Sequence, residues 1–220
     1  MTGEQLAAFI DHTLLRPDAT AGMVQQLCDE AKQYGFAAVC VPPCYVPLAQ
    51  EHLGSDAPVK LATVVGFPLG YQHEKVKMLE TELAIVEGAN EIDVVMNIAA
   101  FKSGNYNLVQ EELANLTEYC ELHGVTLKVI IETALLSQEE IVKACEVCAA
   151  ANVHYVKTST GFASRGASVA DIELMRRSLP DHIKIKASGG IKTFAEAEAL
   201  VKAGADRLGC SASIRIINNE

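Results

Sequence analysis

Short runs of β-branched and aliphatic residues alternate along the whole chain with longer stretches of amphipathic pattern. Eight runs have the length of single strands: Ile10–Leu14, Ala37–Val41, Lys60–Gly66, Glu91–Met96, Leu127–Glu132, Val153–Thr158, Ile183–Ala187 and Asp206–Cys210. A leader helix is predicted at Thr2–Phe9, ahead of the first run. Ser137-Gln-Glu-Glu140 and Thr193-Phe-Ala-Glu196 are capping boxes, and Ser168-Val-Ala-Asp171 is a weaker one. Gly35, Gly88, Gly124 and Gly204 each stand just before the next strand, where a left-handed residue ends a helix. This pattern predicts an α/β chain, a single (β/α)8 TIM barrel with a short N-terminal leader helix. No linker or composition break divides residues 1–220, so one domain is expected, with a short last helix after Cys210.

The barrel pattern gives meaning to three charged residues near the ends of apolar strands: Asp93, Lys157 and Lys186. Side chains alternate along a strand, so Glu91 and Asp93 share a face, as do Tyr155 with Lys157 and Lys184 with Lys186. The opposite set, Ile92, Val94, Val156, Ile183 and Ile185, is wholly apolar and must pack under the helices. The charged set therefore faces the barrel axis, joined by Lys128 and Glu132 of the fifth strand. Inward charge is costly unless paired, so Asp93, Lys128, Lys157 and Lys186 are expected to form one network at the C-terminal mouth, where active sites of this fold lie. One such lysine could be an ordinary core ion pair. Two on neighbouring strands change the chemistry, because like charges disfavour protonation and release an amine as a nucleophile. Each pKa unit of lowering needs about 1.4 kcal/mol.

Composition narrows the field. The formal net charge of −10 argues against nucleic acid, whose phosphates need a basic face. Seven cysteines at irregular spacing do not read as a disulfide framework. With no signal-like start and no membrane-length apolar run, a cytoplasmic location without membrane association is expected. The histidines show no metal-ligand spacing.

Five segments, in order and spread over nearly the whole chain, resemble the deoxyribose-phosphate aldolases, a class I family: Asp11-His-Thr-Leu-Leu15, Glu91-Ile-Asp-Val-Val95, Lys128-Val-Ile-Ile-Glu-Thr133, Lys157-Thr-Ser-Thr-Gly161 and Lys186-Ala-Ser-Gly-Gly-Ile191. The resemblance implies that Lys157 forms the Schiff base, that Lys186 perturbs it, that Asp93 relays protons and that Lys128 orients Asp93. It implies reversible cleavage of 2-deoxy-D-ribose 5-phosphate to acetaldehyde and D-glyceraldehyde 3-phosphate, with no metal or organic cofactor. The expected partners are phosphosugar and aldehyde substrates, and a homo-oligomer, dimer or tetramer, is expected.

A phosphate site has its own signature. Ser188-Gly189-Gly190 after the seventh strand, and Gly209 with Ser211 and Ser213 after the eighth, stand where this fold builds such sites. Gly161 and Lys192 are candidates to complete the cup. Phe162 stands where some relatives carry lysine, and the sequence ends at Glu220 without the longer, tyrosine-ended tail of some relatives. Both features bear on phosphate selection. Asp11 and Thr13 are candidate linings of the acetaldehyde pocket, His12 reads as a hydrogen-bonded structural residue, and the cysteines read as small core hydrophobes except Cys40, near the mouth of the second strand. Two other readings stay open: a different phosphosugar enzyme such as an isomerase, and a phosphosugar-binding barrel without catalysis.

Overall fold

The computed structural model describes residues 1–54 and 57–219. Strands β1 (Ile10–Thr13), β2 (Ala38–Val41), β3 (Lys60–Val65), β4 (Glu91–Val95), β5 (Thr126–Ile130), β6 (Tyr155–Lys157), β7 (Lys184–Ser188) and β8 (Arg207–Cys210) pair in chain order. All are parallel, and β8 closes on β1 through Ile10 opposite Leu208 and His12 opposite Cys210. The expected (β/α)8 barrel is the fold.

Helices α1 (Gly3–Ala7), α2 (Ala21–Tyr34), α3 (Val46–Leu53), α4 (Glu74–Val86), α5 (Ile98–Lys102), α6 (Tyr106–Leu122), α7 (Gln138–Ala150), α8 (Val169–Ser178), α9 (Phe194–Lys202) and α10 (Ser213–Ile217) follow the strands or their loops. Both predicted capping boxes form, at Ser137 with Glu140 and Thr193 with Glu196. Ser168 caps α8 through Asp171 N–H alone. Each such cap contributes about 1 kcal/mol. Gly35 takes the left-handed conformation, φ 68°, that ends α2.

Several predicted strands overrun. Leu14, Gly66 and Met96 lie one residue past the strand ends, although the N–H groups of Leu14 and Met96 still donate to the Cys40 and Ile130 carbonyls of the neighbouring strands. The largest correction is Glu132, expected inside β5. The strand stops at Ile130, and Glu132 is left-handed at φ 56°, ψ 69°.

Two apolar layers divide the work. The main core lies between the strands and the helices and includes Ile92, Val94, Val156, Ile183 and Ile185. Inside the barrel, a small separate cluster of Cys40, Ala62 and Val64 from β2 and β3 packs with Leu15 and Phe67. The middle of the interior, across β4 to β8 and β1, is ionic.

Behind the sheet sits one fully buried ion pair. Lys77 of α4 donates to Glu112 Oε1 of α6 at 2.6 Å and to the Val95 carbonyl at 2.8 Å, which ties both helices to the end of β4. Its stem lies against Gly66, where a Cβ would come within 2.9 Å of Lys77 Cε. Burial pulls the lysine down and pushes the glutamate up, so breaking the pair leaves an uncompensated charge. Lys77→Met is expected to destabilise the fold by about 3–5 kcal/mol. Adding Glu112→Leu should recover most of that loss in urea denaturation. A double variant no more stable than the single would show that the bond to Val95 matters more than the charge.

Candidate active site

The register of the barrel brings the predicted charges together. Asp93 lies opposite Lys128 across β4–β5, Lys157 opposite Lys186 across β6–β7, and Lys186 opposite Arg207 across β7–β8. Asp93 is the hub. Its Oδ1 accepts from Lys128 Nζ at 2.8 Å, and its Oδ2 accepts from both Lys157 Nζ at 2.8 Å and Lys186 Nζ at 2.7 Å. Below it, Lys186 pairs with Asp11 at 2.5 Å and Lys128 with Glu91 at 2.7 Å. Arg207 closes the base by bridging Asp11 and Glu91.

Arg207 was not singled out in the sequence. The signal was present, since the same alternation that turns Gly209 inward on β8 turns Arg207 inward as well. Two residues expected on the inward face, Lys184 and Glu132, lie outside the network. Lys184 has the right parity but lies at the solvent end of β7, exposed, with its ammonium 5.7 Å from the Tyr155 ring centroid. Glu132 turns away with its left-handed backbone, and its Oε2 accepts from the Thr160 N–H and the Thr160 hydroxyl. It anchors the loop after β6 instead.

Counting charges bears on the protonation state of Lys157. Four cationic side chains, Lys128, Lys157, Lys186 and Arg207, face three carboxylates, Asp11, Glu91 and Asp93. One proton too many resides in a site with almost no water to screen it. Burial pulls Lys157 down, Asp93 pulls it back up, and the Lys186 ammonium adds to the lowering, so its net direction is downward. Burial also disfavours charge on Lys128 and Lys186, but Asp93 with Glu91 in one case, and Asp11 with Asp93 in the other, outweigh it and raise both. With Lys157 as the free amine, the remaining three cations balance three anions. The Lys186 ammonium therefore contributes to the lowering, but desolvation is the larger cause.

Lys157 is also the member of this network that lines the cavity at the mouth. It stands at the floor of a cavity of about 590 Å³ at the C-terminal mouth. Thr13, Thr160, Gly161, Phe162, Ser188, Gly189, Gly190, Gly209 and Ser211 line the same cavity. Asp11 does not line it, because both its oxygens are engaged in the ion network below. Cys40 lies in the apolar half of the interior, and burial pushes its thiol up to about 11.

The two glycine-rich turns meet beside Lys157. Gly190 has φ +75°, and a Cβ there would meet nothing within 4 Å, so its backbone is open to a ligand. Gly166, which the sequence reading passed over, lets two loops touch: its Cβ would lie 1.9 Å from the Gly189 carbonyl. Gly209 has a second duty, since a Cβ there would crowd Ser188 and come within 3.2 Å of Lys186 Cε. Ser213 is a correction. It is buried, donates to the Cys210 carbonyl and pairs with His12 Nδ1 at 2.8 Å, so it supports β1 rather than lining the cavity. His12 completes that support through Glu30 at 2.7 Å, the structural role expected of it. Lys192 does not line the cavity, whereas Arg16, in the loop after β1, brings a guanidinium to its rim beside Asp18.

A family profile described as DeoC/LacD family aldolase matches residues 6–212. The chain belongs to this family. It is an aldolase, a carbon–carbon lyase. A deoxyribose-phosphate aldolase of Caldanaerobacter subterraneus subsp. tengcongensis is 47% identical over 213 residues, covering 96% of this chain and 92% of that one. One of Caldicellulosiruptor saccharolyticus is 47% identical over the full length of both chains. The solved deoxyribose phosphate aldolase of Aeropyrum pernix, described as a unique tetramer, superposes with a TM-score of 0.90 at 32% identity, covering 99% of this chain and 91% of that one.

The network sets the acid limit of the DeoC/LacD fold in this chain. Burial raises the Asp93 carboxyl, but Lys128, Lys157 and Lys186 together hold it well below its ordinary 3.8. A folded-state pKa below the unfolded one gives stability that is complete above the unfolded value and is lost as pH falls through the folded one. Wild type should therefore lose stability steeply below about pH 4, and Asp93→Asn should flatten that acid limb. At neutral pH the same variant should be less stable by about 3–5 kcal/mol, because it strands buried ammonium groups. Urea midpoints from pH 7 to pH 2 measure both effects.

Proposed function

We propose that this chain catalyses the reversible cleavage of 2-deoxy-D-ribose 5-phosphate to acetaldehyde and D-glyceraldehyde 3-phosphate through an imine on Lys157. The observation that carries the reading is the placement of Lys157. It is the surplus cation of a balanced buried network, and it faces a cavity large enough for a phosphosugar. The names of the full-length relatives supply the substrate class.

In the synthetic direction the Lys157 amine adds to the acetaldehyde carbonyl carbon, and loss of water leaves an iminium ion. The positive nitrogen withdraws electrons, so a proton leaves the adjacent methyl carbon and an enamine forms. Asp93, kept ionised by its ammonium neighbours, accepts that proton through a water molecule. Lys128 fixes the carboxylate from its far oxygen. The enamine carbon then bonds to the aldehyde carbon of the second substrate, whose oxygen takes up a proton. Water hydrolyses the new iminium and returns Lys157. Lys186 stays charged throughout and keeps the nucleophile from reprotonating.

The phosphate end of the sugar binds at Gly161, Ser188, Gly189, Gly190, Gly209 and Ser211. Backbone N–H groups can approach closely there, and the Arg16 guanidinium at the rim can swing from Asp18 to the phosphate. One barrel carries the whole reaction, without metal or organic cofactor, in the cytoplasm, and the chain self-associates. No helix among the described residues is long and apolar enough to cross a membrane.

Acetaldehyde with borohydride tests the reading directly. Mass spectrometry should find an added ethyl group on Lys157, and a label on Lys184 or Lys186 instead would refute the assignment. An isomerase or a simple binding protein would trap no adduct.

Phosphate recognition gives a second test. Gly190→Val should raise KM for 2-deoxyribose 5-phosphate at least about tenfold, equivalent to ~1.4 kcal/mol. Turnover of unphosphorylated 2-deoxyribose should largely survive. Equal losses on both sugars would mean that the turn supports the barrel and does not hold phosphate.

A further inference from the structure

Glu132 stands apart from the other buried acids of the barrel. Among the described residues, Asp11, Glu91, Asp93, Glu112 and Asp171 are buried and each has a cationic partner. Glu132 is 3% exposed and has none, and its Oε1 lacks any hydrogen-bond partner. Its backbone is left-handed, a conformation that the non-glycine residues Asn152 and Asn219 share. Asparagine tolerates it, whereas glutamate adopts it under strain. Such strain persists only where neighbouring contacts over-determine the chain. Here the Thr133 N–H donates to the Thr158 carbonyl at 2.8 Å, and Arg165 donates to the Thr133 carbonyl at 2.7 Å.

The hydrogen bonds of the Glu132 side chain go to one residue. Its Oε2 accepts the Thr160 N–H at 3.1 Å and the Thr160 hydroxyl. Thr160 Oγ1 in turn accepts the Phe162 N–H at 3.1 Å. A hydroxyl carries one proton and two lone pairs. The proton is taken by Glu132 and one lone pair by Phe162, so one lone pair is left over. A free hydroxyl rotates and either donates or accepts, but one held by Glu132 only accepts. Thr160 lines the cavity together with Lys157 and Gly161, which mark the imine end and the phosphate end of the proposed site. A group that meets Thr160 there must be a donor.

We propose that Glu132 is a positioning residue for substrate selection: by taking the Thr160 proton it fixes the Thr160 oxygen as an acceptor for the substrate hydroxyl next to the phosphate arm. In the synthetic direction that is the 2-hydroxyl of D-glyceraldehyde 3-phosphate. The inference rests on the phosphosugar reading above and deepens it. Glu132 acts through Thr160 and touches no reacting atom.

Acetaldehyde addition to two acceptors tests it: D-glyceraldehyde 3-phosphate, and 3-oxopropyl phosphate, the same aldehyde without the 2-hydroxyl. Wild type should prefer the hydroxylated acceptor in kcat/KM by at least about tenfold, because the analogue leaves a buried acceptor unpaired. Glu132→Gly removes the side chain and takes the left-handed backbone without strain. It should cut that preference at least about fivefold, while Glu132→Gln, which keeps an oxygen for Thr160, should retain it. A merely structural role would lower kcat/KM on both acceptors together, and an unchanged ratio in Glu132→Gly overturns the proposal. Thr160→Val should abolish the preference. If adding Glu132→Gly to Thr160→Val lowers it further, the action does not run through Thr160 and the proposal fails. Wild type active on neither acceptor would overturn the phosphosugar reading itself, and wild type equally active on both would overturn this inference alone. Should Glu132→Gly unfold, Glu132→Asn decides: it tolerates the backbone but is one methylene short of Thr160, so it should show the same loss, and an unchanged ratio overturns the proposal.

Discussion

One carboxylate organises the interior of this barrel. Asp93 is completely buried yet accepts hydrogen bonds from three lysines, and that arrangement is tolerable only because each partner offsets the desolvation of the others. Remove the anion and three buried ammonium groups repel one another. Keep it, and its two oxygens are shared among more donors than they can neutralise. The excess falls on Lys157, the lysine held by Asp93 alone while Lys128 and Lys186 have further acidic partners. The lowered proton affinity of Lys157 thus follows from charge balance and desolvation in a dry site.

The remainder of the architecture serves that balance. Parallel strands in register stack inward residues at the same height, so Lys157 and Lys186 become direct neighbours despite lying far apart in sequence. The base is sealed by Arg207 with Asp11 and Glu91, which keeps the network away from water at the lower end. On the β2–β3 side the interior is apolar, with Cys40, Ala62 and Val64. Loops complete the mouth by close backbone approach: Gly166 against Gly189, and Glu132 of one loop holding Thr160 of the next. These contacts hold the cavity wall around the Lys157 amine.

Much of this was legible in the sequence because it follows from periods. A two-residue alternation separated Asp93, Lys128, Lys157 and Lys186 from the apolar face behind them, and capping boxes at Ser137 and Thr193 marked where helices begin. The family resemblance rested on the same strand ends. What failed, failed where periodicity ends. Glu132 continues the β5 pattern on paper, but the backbone turns left-handed after Ile130 and the side chain leaves the axis. Lys184 obeys the alternation yet lies at the open end of its strand, and alternation gives a face without giving depth.

The sequence by itself determined the barrel, the strand that bears each lysine, and the inward face those lysines share, since each of these is local pattern repeated along the chain. Only the tertiary structure decided which lysine is surplus, because that depends on counting partners across β4, β5, β7, β8 and β1 within a few ångströms. It also decided that Ser213 braces His12, that Gly209 makes room for Lys186, and that Arg207 belongs to the network. Charge neutrality and close packing are properties of residues gathered in space, and no single segment contains them.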